Sequence, residues 1–296
     1  AIIATVCMSA VNTTGIVRSI EELETNSVTD GTTPTFTLSK TGKNVVVLML
    51  DRGIGPYVPY IFNEKPELKA QFDGFTYYSN TASLGLKTNM STPSRFAGYE
   101  YTPQKLTSRD KELLLDKHDE ALKVLPVMFS KNGFDVTVLE PVYAGYRYIP
   151  DLTIFDEYPE IRKFNVRGQF TEPELKQQSI DNNKRNFFCY SLMKVAPLCI
   201  QKNLYYYGAY NQGTLLGTYG YSGQTTDDAL TASGIDGVFM NSYNVLGNLP
   251  NITNISRDNT NTYMVMTNDT THEPMLLQEP AYVPAPTVDN TQYELE

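Results

Sequence analysis

The run Asn44–Leu50, NVVVLML, constrains the fold of this chain more than any other feature. Three consecutive valines disfavour helix, because β-branched side chains lose χ1 freedom against the preceding turn. The run is also too short for a helix and is bounded by polar residues, which predicts a buried strand. It is continuous rather than alternating, so both faces are expected to be covered, as in the middle of a parallel sheet. The run stops abruptly at Asp51. Open parallel sheets bind ligands beyond the carboxyl ends of their strands. A carboxylate placed there is suited to holding a hard or borderline cation. A turn or helix-capping aspartate is the competing reading, and position alone favours it.

The rest of the chain reads as mixed α/β. Pro66–Phe72 suggests a short helix and Gly74–Ser79 (GFTYYS) a second strand, followed by a loop of small polar residues from Asn80 to Met90. Ser91–Ala97 carries helix-start chemistry, with Ser91 as N-cap and Pro93 in the first turn. Arg109–Lys131 is the strongest helix, with Leu113, Leu114, Ala121, Leu122, Leu125 and Phe129 at helical spacing. Pro126 should bend or break it. Gly133 ends it, and Phe134–Leu139 (FDVTVL) reads as another buried strand, the αβ half of a doubly wound unit. Farther on, Glu172–Val195 is expected to be helical, Tyr205–Ser222 irregular and rich in Tyr and Gly, and Thr262–Thr267 a late strand. The Pro-rich tail from Glu279 to Pro286 is expected to be extended. No internal repeat is present.

With 296 residues and 41% hydrophobic content the chain can bury one large domain or two small ones. Its 24 basic and 33 acidic residues give a net charge of -9. No stripe of Lys and Arg occurs, which argues against nucleic-acid partners. An acidic protein still handles anionic substrates if a bound cation supplies local positive charge. Cys7, Cys189 and Cys199 follow no zinc spacing; the latter two could pair but read as buried thiols in apolar stretches. Ala1–Val11 is apolar and uncharged, yet shorter than the roughly 20 residues of a spanning helix. It reads either as a core segment or as the end of a transmembrane helix. The polar stretch from Asn12 to Thr41 resembles a juxtamembrane connector. The expected division is therefore 1–42 for that segment and connector, and 43–296 for a folded domain.

The densest cluster of reactive residues is Thr81–Tyr101, TASLGLKTNMSTPSRFAGYEY. A second cluster, Asn268–Pro274 (NDTTHEP), holds His272 beyond the late strand. The other histidine, His118, lies among charges in KHDEALK and reads as a solvated surface residue. The pairing of NVVVLMLD with TNMSTPSRFAGYEYTP resembles the alkaline-phosphatase and sulfatase superfamily. It looks closest to the membrane-anchored branch with lipoteichoic acid synthases and lipid phosphoethanolamine transferases. The Thr-x-x-Ser-x-Pro pattern of the transferases is matched by Thr88, Ser91 and Pro93. Ser91-Thr92-Pro93-Ser94-Arg95 also matches the core of the sulfatase signature, in which the first residue becomes formylglycine. Phe96-Ala97-Gly98 departs from the remainder of that signature, whereas placing Thr88 first brings Gly98 onto its closing glycine.

The resemblance implies a three-layer α/β/α sandwich with a mostly parallel central sheet, incomplete at its C-terminal end. It implies Thr88 as nucleophile and, with Asp51, as ligand of a divalent metal: zinc or manganese, with magnesium or calcium as alternatives. The chemistry agrees, since a threonine hydroxyl needs a metal or base to become nucleophilic near neutral pH. A helix starting near Ser91 would aim its free N–H groups at a phosphate. His272, in a His-x-Pro element, is implied as a substrate contact. Arg95 is implied as a second, or else pairs within the fold; Lys87 has the same two readings. The expected activity is transfer of a phospho-head group from an anionic lipid or glycan-phosphate donor through a phosphothreonine intermediate. The expected place is the extracytoplasmic face of a bacterial cell membrane, anchored by a segment N-terminal to this chain. Two alternatives stand beside it: a sulfatase using Ser91, and a non-catalytic module that binds envelope polymers. The family's Asp-His-Gly metal element does not occur here, which leads to the expectation of a truncated chain.

Overall fold

In the computed structural model the described residues are 33–173, 188–205, 231–232, 237–272, 277–285 and 288–289, with isolated positions 7, 10–11, 13–15 and 18 near the start. They form a mixed α/β structure whose main sheet has four strands, all parallel: β2 (Asn44–Leu50), β6 (Thr262–Asn268), β3 (Asp135–Leu139) and β4 (Arg162–Phe164), in that spatial order. A separate parallel pair joins β1 (Phe36–Ser39) to β5 (Thr253–Ser256). β1 buries Phe36, so part of the stretch read as a connector is packed structure.

The chain divides into two compact units. The first comprises residues 1–49, 54–166 and 250–267; the second comprises 50–53, 167–249 and 268–296. In the first unit the central strands β6 and β3 are buried almost throughout. β2 is an edge strand and alternates, leaving Val46 and Leu48 exposed on one face. The expectation that NVVVLML is covered on both faces is therefore wrong; TYMVMTN is the strand with that property. Register between β2 and β6 is held by the Thr262 N–H on the Lys43 carbonyl (2.8 Å) and the Thr262 hydroxyl on Asn44 Oδ1 (2.8 Å).

The first unit also contains the helices α1 (Val58–Glu64), α2 (Pro66–Gln71), α3 (Thr88–Ala97), α4 (Pro103–Ser108) and α5 (Leu114–Lys131). Leu122 of α5 and Phe96 of α3 pack with Val136, Val138, Tyr263 and Val265 of the sheet to make the core. Truncating a residue as buried as Leu122 to Ala is expected to cost about 2–5 kcal/mol.

Several expectations change. α3 begins at Thr88, three residues before the predicted start, with Lys87 as an extended N-cap that makes no side-chain cap bond. Ser91 is thus inside the helix, and Pro93 is an interior proline that leaves the Asn89 carbonyl without its i+4 donor. α5 starts at Leu114, because Leu113 is extended (ψ 143°), and it continues through the buried Pro126. Gly133 does end it, at φ 78°, a conformation costly for any residue with a Cβ. Residues 74–79 form no strand: Phe75 and Tyr78 are exposed there, and β-propensity without a neighbouring strand gives no ladder.

In the second unit, residues 188–195 are helical, as expected, a further helix spans Leu198–Tyr205, and residues 237–249 of the helix Gly237–Ile252 belong to it as well. Residues 174–187 of one predicted helix and 206–222 of the Tyr- and Gly-rich region lie outside the described residues. Leu277–Gln278 pairs antiparallel with Val283–Pro284, so the Pro-rich tail turns back on itself instead of running extended. Cys199 is exposed and Cys189 half-buried, both as free thiols, contrary to their reading as buried. Among the described residues no helix is long and apolar enough to cross a membrane.

Candidate functional site

Thr88, half-buried, is the first residue of α3, and its carbonyl accepts the Thr92 hydroxyl at 2.7 Å. The next residue, Asn89, donates from Nδ2 to the Tyr146 hydroxyl at 2.9 Å. Tyr146 belongs to the loop that follows the carboxyl end of β3. This bond therefore ties the start of α3 to the side of the sheet where open α/β folds bind ligands. Ser91 sits a turn inside, its hydroxyl facing the carbonyls of Thr88 (3.3 Å) and Lys87 (3.4 Å). Arg95 is exposed and donates to the Thr92 hydroxyl at 2.8 Å. It also lines a small pocket with Met49 of β2 and with Tyr263 and Thr267 of β6.

In the second unit the segments leaving β2 and β6 are bound together. The Asp51 N–H donates to the Asn268 carbonyl at 2.9 Å, and the Thr271 hydroxyl donates to the Asp51 carbonyl at 2.6 Å. Arg52 adopts φ 56°, a left-handed conformation that non-glycine residues hold only where their surroundings enforce it. Asn268 shapes the other segment by donating to the Ser242 carbonyl (2.8 Å) and accepting the Thr270 N–H (3.0 Å). The His272 N–H then closes a turn on the Asp269 carbonyl at 2.9 Å.

Asp269 is the electrostatic centre of this cluster. Burial pushes its carboxyl above the ordinary aspartate value; the ion pair with Arg167 pulls it down, the Asp51 carboxylate raises it again, and His272 lowers it. Both partners of the Arg167–Asp269 pair are largely buried. No family model, no curated protein and no solved structure matches this chain.

The structure thus brings Asp51 and His272 into one charged cluster in the second unit and places Thr88, Ser91 and Arg95 on one helix in the first. Arg167 and Asp269 were missed from sequence; they are 102 positions apart, and no local motif joins them. The Asp in NDTTHEP was the one available signal. A divalent cation beside Asp51 would relieve the repulsion that Asp269 feels. Asp269 is already paired with Arg167, however. Among the described residues no three His, Cys, Asp or Glu side chains form a group able to hold a metal ion. The described residues present an incomplete ligand set for a metal ion.

His118 contradicts its reading as a surface residue. It is fully buried, and the charges beside it are buried with partners of their own. Lys117 Nζ donates to the carbonyls of Leu106 (2.7 Å) and Arg109 (2.9 Å), closing the end of α4. Asp119 Oδ1 accepts the Gly145 N–H at 2.8 Å.

Proposed function

We propose that this chain carries the nucleophile side of an extracytoplasmic phosphotransferase of the alkaline-phosphatase and sulfatase type, with the three-layer α/β/α architecture of that superfamily. The observation that carries the reading is the Asn89–Tyr146 hydrogen bond, since it sets Thr88 at a helix start on the carboxyl side of a parallel sheet. The Met90 and Ser91 N–H groups already bond the Lys87 carbonyl, so what the start of α3 offers a phosphate is the positive end of the helix dipole. In the proposed reaction the Thr88 hydroxyl oxygen bonds to phosphorus and the bond from phosphorus to the lipid alcohol breaks. The threonine proton leaves with that alcohol. An acceptor hydroxyl then attacks the phosphothreonine, and Thr88 regains its proton. In the first unit Arg95 is assigned to the substrate's anionic oxygens; the roles of His272 as substrate contact and of Asp51 as metal ligand are carried by the resemblance. The metal assignment, like the membrane location, rests on the resemblance alone.

Thr88 is preferred to Ser91 because it is the first residue of α3, whereas the Ser91 hydroxyl faces backbone carbonyls within the helix. Intact-mass analysis after incubation with phosphatidylglycerol or phosphatidylethanolamine and zinc or manganese tests the assignment. The expected result is a phospho-head-group adduct that maps to Thr88 and vanishes in Thr88→Ala. An adduct that survives this substitution refutes Thr88, and formylglycine at position 91 with sulfate release establishes the sulfatase reading instead. Binding of an envelope polymer with no adduct and no divalent-ion uptake establishes the non-catalytic one.

A further inference from the structure

The loop between β3 and β4 is held in an unusual shape. Tyr143 and Tyr146 both adopt positive φ, 56° and 54°, and Gly145 between them has φ 66°. For tyrosine this conformation costs on the order of 1–3 kcal/mol and persists only where surrounding contacts over-determine it. The contacts are identifiable. Asp119 of α5 accepts the Gly145 N–H at 2.8 Å, and the Asp151 N–H returns to the Ala144 carbonyl at 2.9 Å. His118 of α5 meets the Tyr146 ring edge-on, with centroids 5.4 Å apart and planes at 88°. The imidazole is fully buried and neither nitrogen has a hydrogen-bond partner among the described residues. Its packing against Tyr146 is therefore its visible contact with this loop.

All of this aims one group. The Tyr146 hydroxyl ends on the side chain of Asn89, next to Thr88. We infer that Tyr146 is a positioning residue for the candidate nucleophile: α5, through His118 and Asp119, holds the strained loop, and the loop's tyrosine fixes the first turn of α3 through Asn89. The inference rests on the phosphotransferase reading for its catalytic consequence, but its structural half does not. Packing alone would require the Tyr146 ring, not its hydroxyl, and would not require the left-handed backbone that delivers the hydroxyl to Asn89.

Tyr146→Phe keeps the ring on His118 and removes only the hydroxyl; Asn89→Ala removes the same bond from the other side. Wild type, both variants and the double variant are compared in two measurements on the whole chain. One is turnover of bis(p-nitrophenyl) phosphate with zinc or manganese, and the other is amide hydrogen exchange at Met90 and Ser91, whose N–H groups bond the Lys87 carbonyl. Expected are unchanged melting temperatures, severalfold faster exchange at these two amides, and a fall in kcat of about tenfold or more with KM changed by no more than about twofold. The double variant should lose no more than either single one, as for two residues acting through one contact. Unchanged exchange overturns the inference whatever the activity. Faster exchange with unchanged kcat, or losses that multiply in the double variant, overturns the positioning role. If the wild type turns over no diester and gains no Thr88 adduct, the proposed function falls. The exchange measurement then still decides whether Tyr146 fixes this helix start.

Discussion

Tyr263→Phe should stabilise the first unit. Tyr263 lies on the central strand β6 with 1% of its surface exposed, and its hydroxyl has no hydrogen-bond partner among the described residues. Burial alone pushes its ionisation far above the ordinary tyrosine value. A buried polar group without a partner costs about 1–3 kcal/mol of desolvation that nothing returns. The substitution removes that oxygen and keeps the ring, which stacks on Phe129 at 4.2 Å centroid separation. Against the gain stand the few dispersion contacts of one oxygen, each worth only about 0.1–0.2 kcal/mol. The net expectation is a gain of about 1 kcal/mol. Urea unfolding should show a higher midpoint with the same slope, since the surface exposed on unfolding is unchanged. Native-state exchange at the β6 amides should slow in step. A loss of about 1 kcal/mol or more would refute the reasoning. It would mean that the hydroxyl donates to a buried partner, for which the pocket it shares with Arg95 and Thr267 is the place to look.

Two further outcomes follow from buried charge. Asp269 holds its proton to higher pH in the folded protein than the ordinary value of 3.8, so its contribution favours folding below that value and is lost as pH rises through the folded one. The stability of wild type relative to Asp269→Asn, from urea unfolding at a series of pH values, should therefore fall as pH rises from about 4 and then level off; a flat or rising difference contradicts it. Lys117→Met should destabilise by about 1–3 kcal/mol, because it leaves the Leu106 and Arg109 carbonyls at the end of α4 without their donor. Faster amide exchange confined to α4 and the start of α5 is the local signature, and an unchanged melting temperature would contradict it.

What was legible in the sequence was local. Asn44–Leu50 is a strand with the predicted bounds, because three valines between polar ends have few other solutions. Which face it buries was not legible, since that depends on where the helices pack: Val45 and Val47 meet the core made with Phe96 and Leu122, while Val46 and Leu48 stay exposed. The start of α3 was placed late for a related reason. Lys87 caps it through backbone geometry with no side-chain bond, so residue type carried no signal, whereas Ser91 imitates a cap. His118 failed because charged neighbours usually mean solvent. Here Lys117 and Asp119 find partners at Leu106, Arg109 and Gly145, which no spacing rule connects to them.

The order of the sheet explains why the candidate site was only half readable. The chain lays down β2, then β3 and β4, and leaves between β2 and β3 a position that β6 fills much later. The strand beside β2 thus comes from the far end of the described chain, and the residues leaving the two strands meet as Asp51 and Asn268. The Thr271 hydroxyl that closes this junction is 220 positions from the carbonyl it binds. A carboxylate at the end of one strand is visible by pattern; what faces it is decided by insertion, and insertion has no local signature. The same topology makes the junction dependent on β6 being in place. Pairings of such large sequence separation form slowly, because their closure entropy is spent before their contacts are gained. Asp51 therefore acquires its neighbours only when β6 docks, and any function assigned to it belongs to the completed sheet rather than to the β2 strand and its loop.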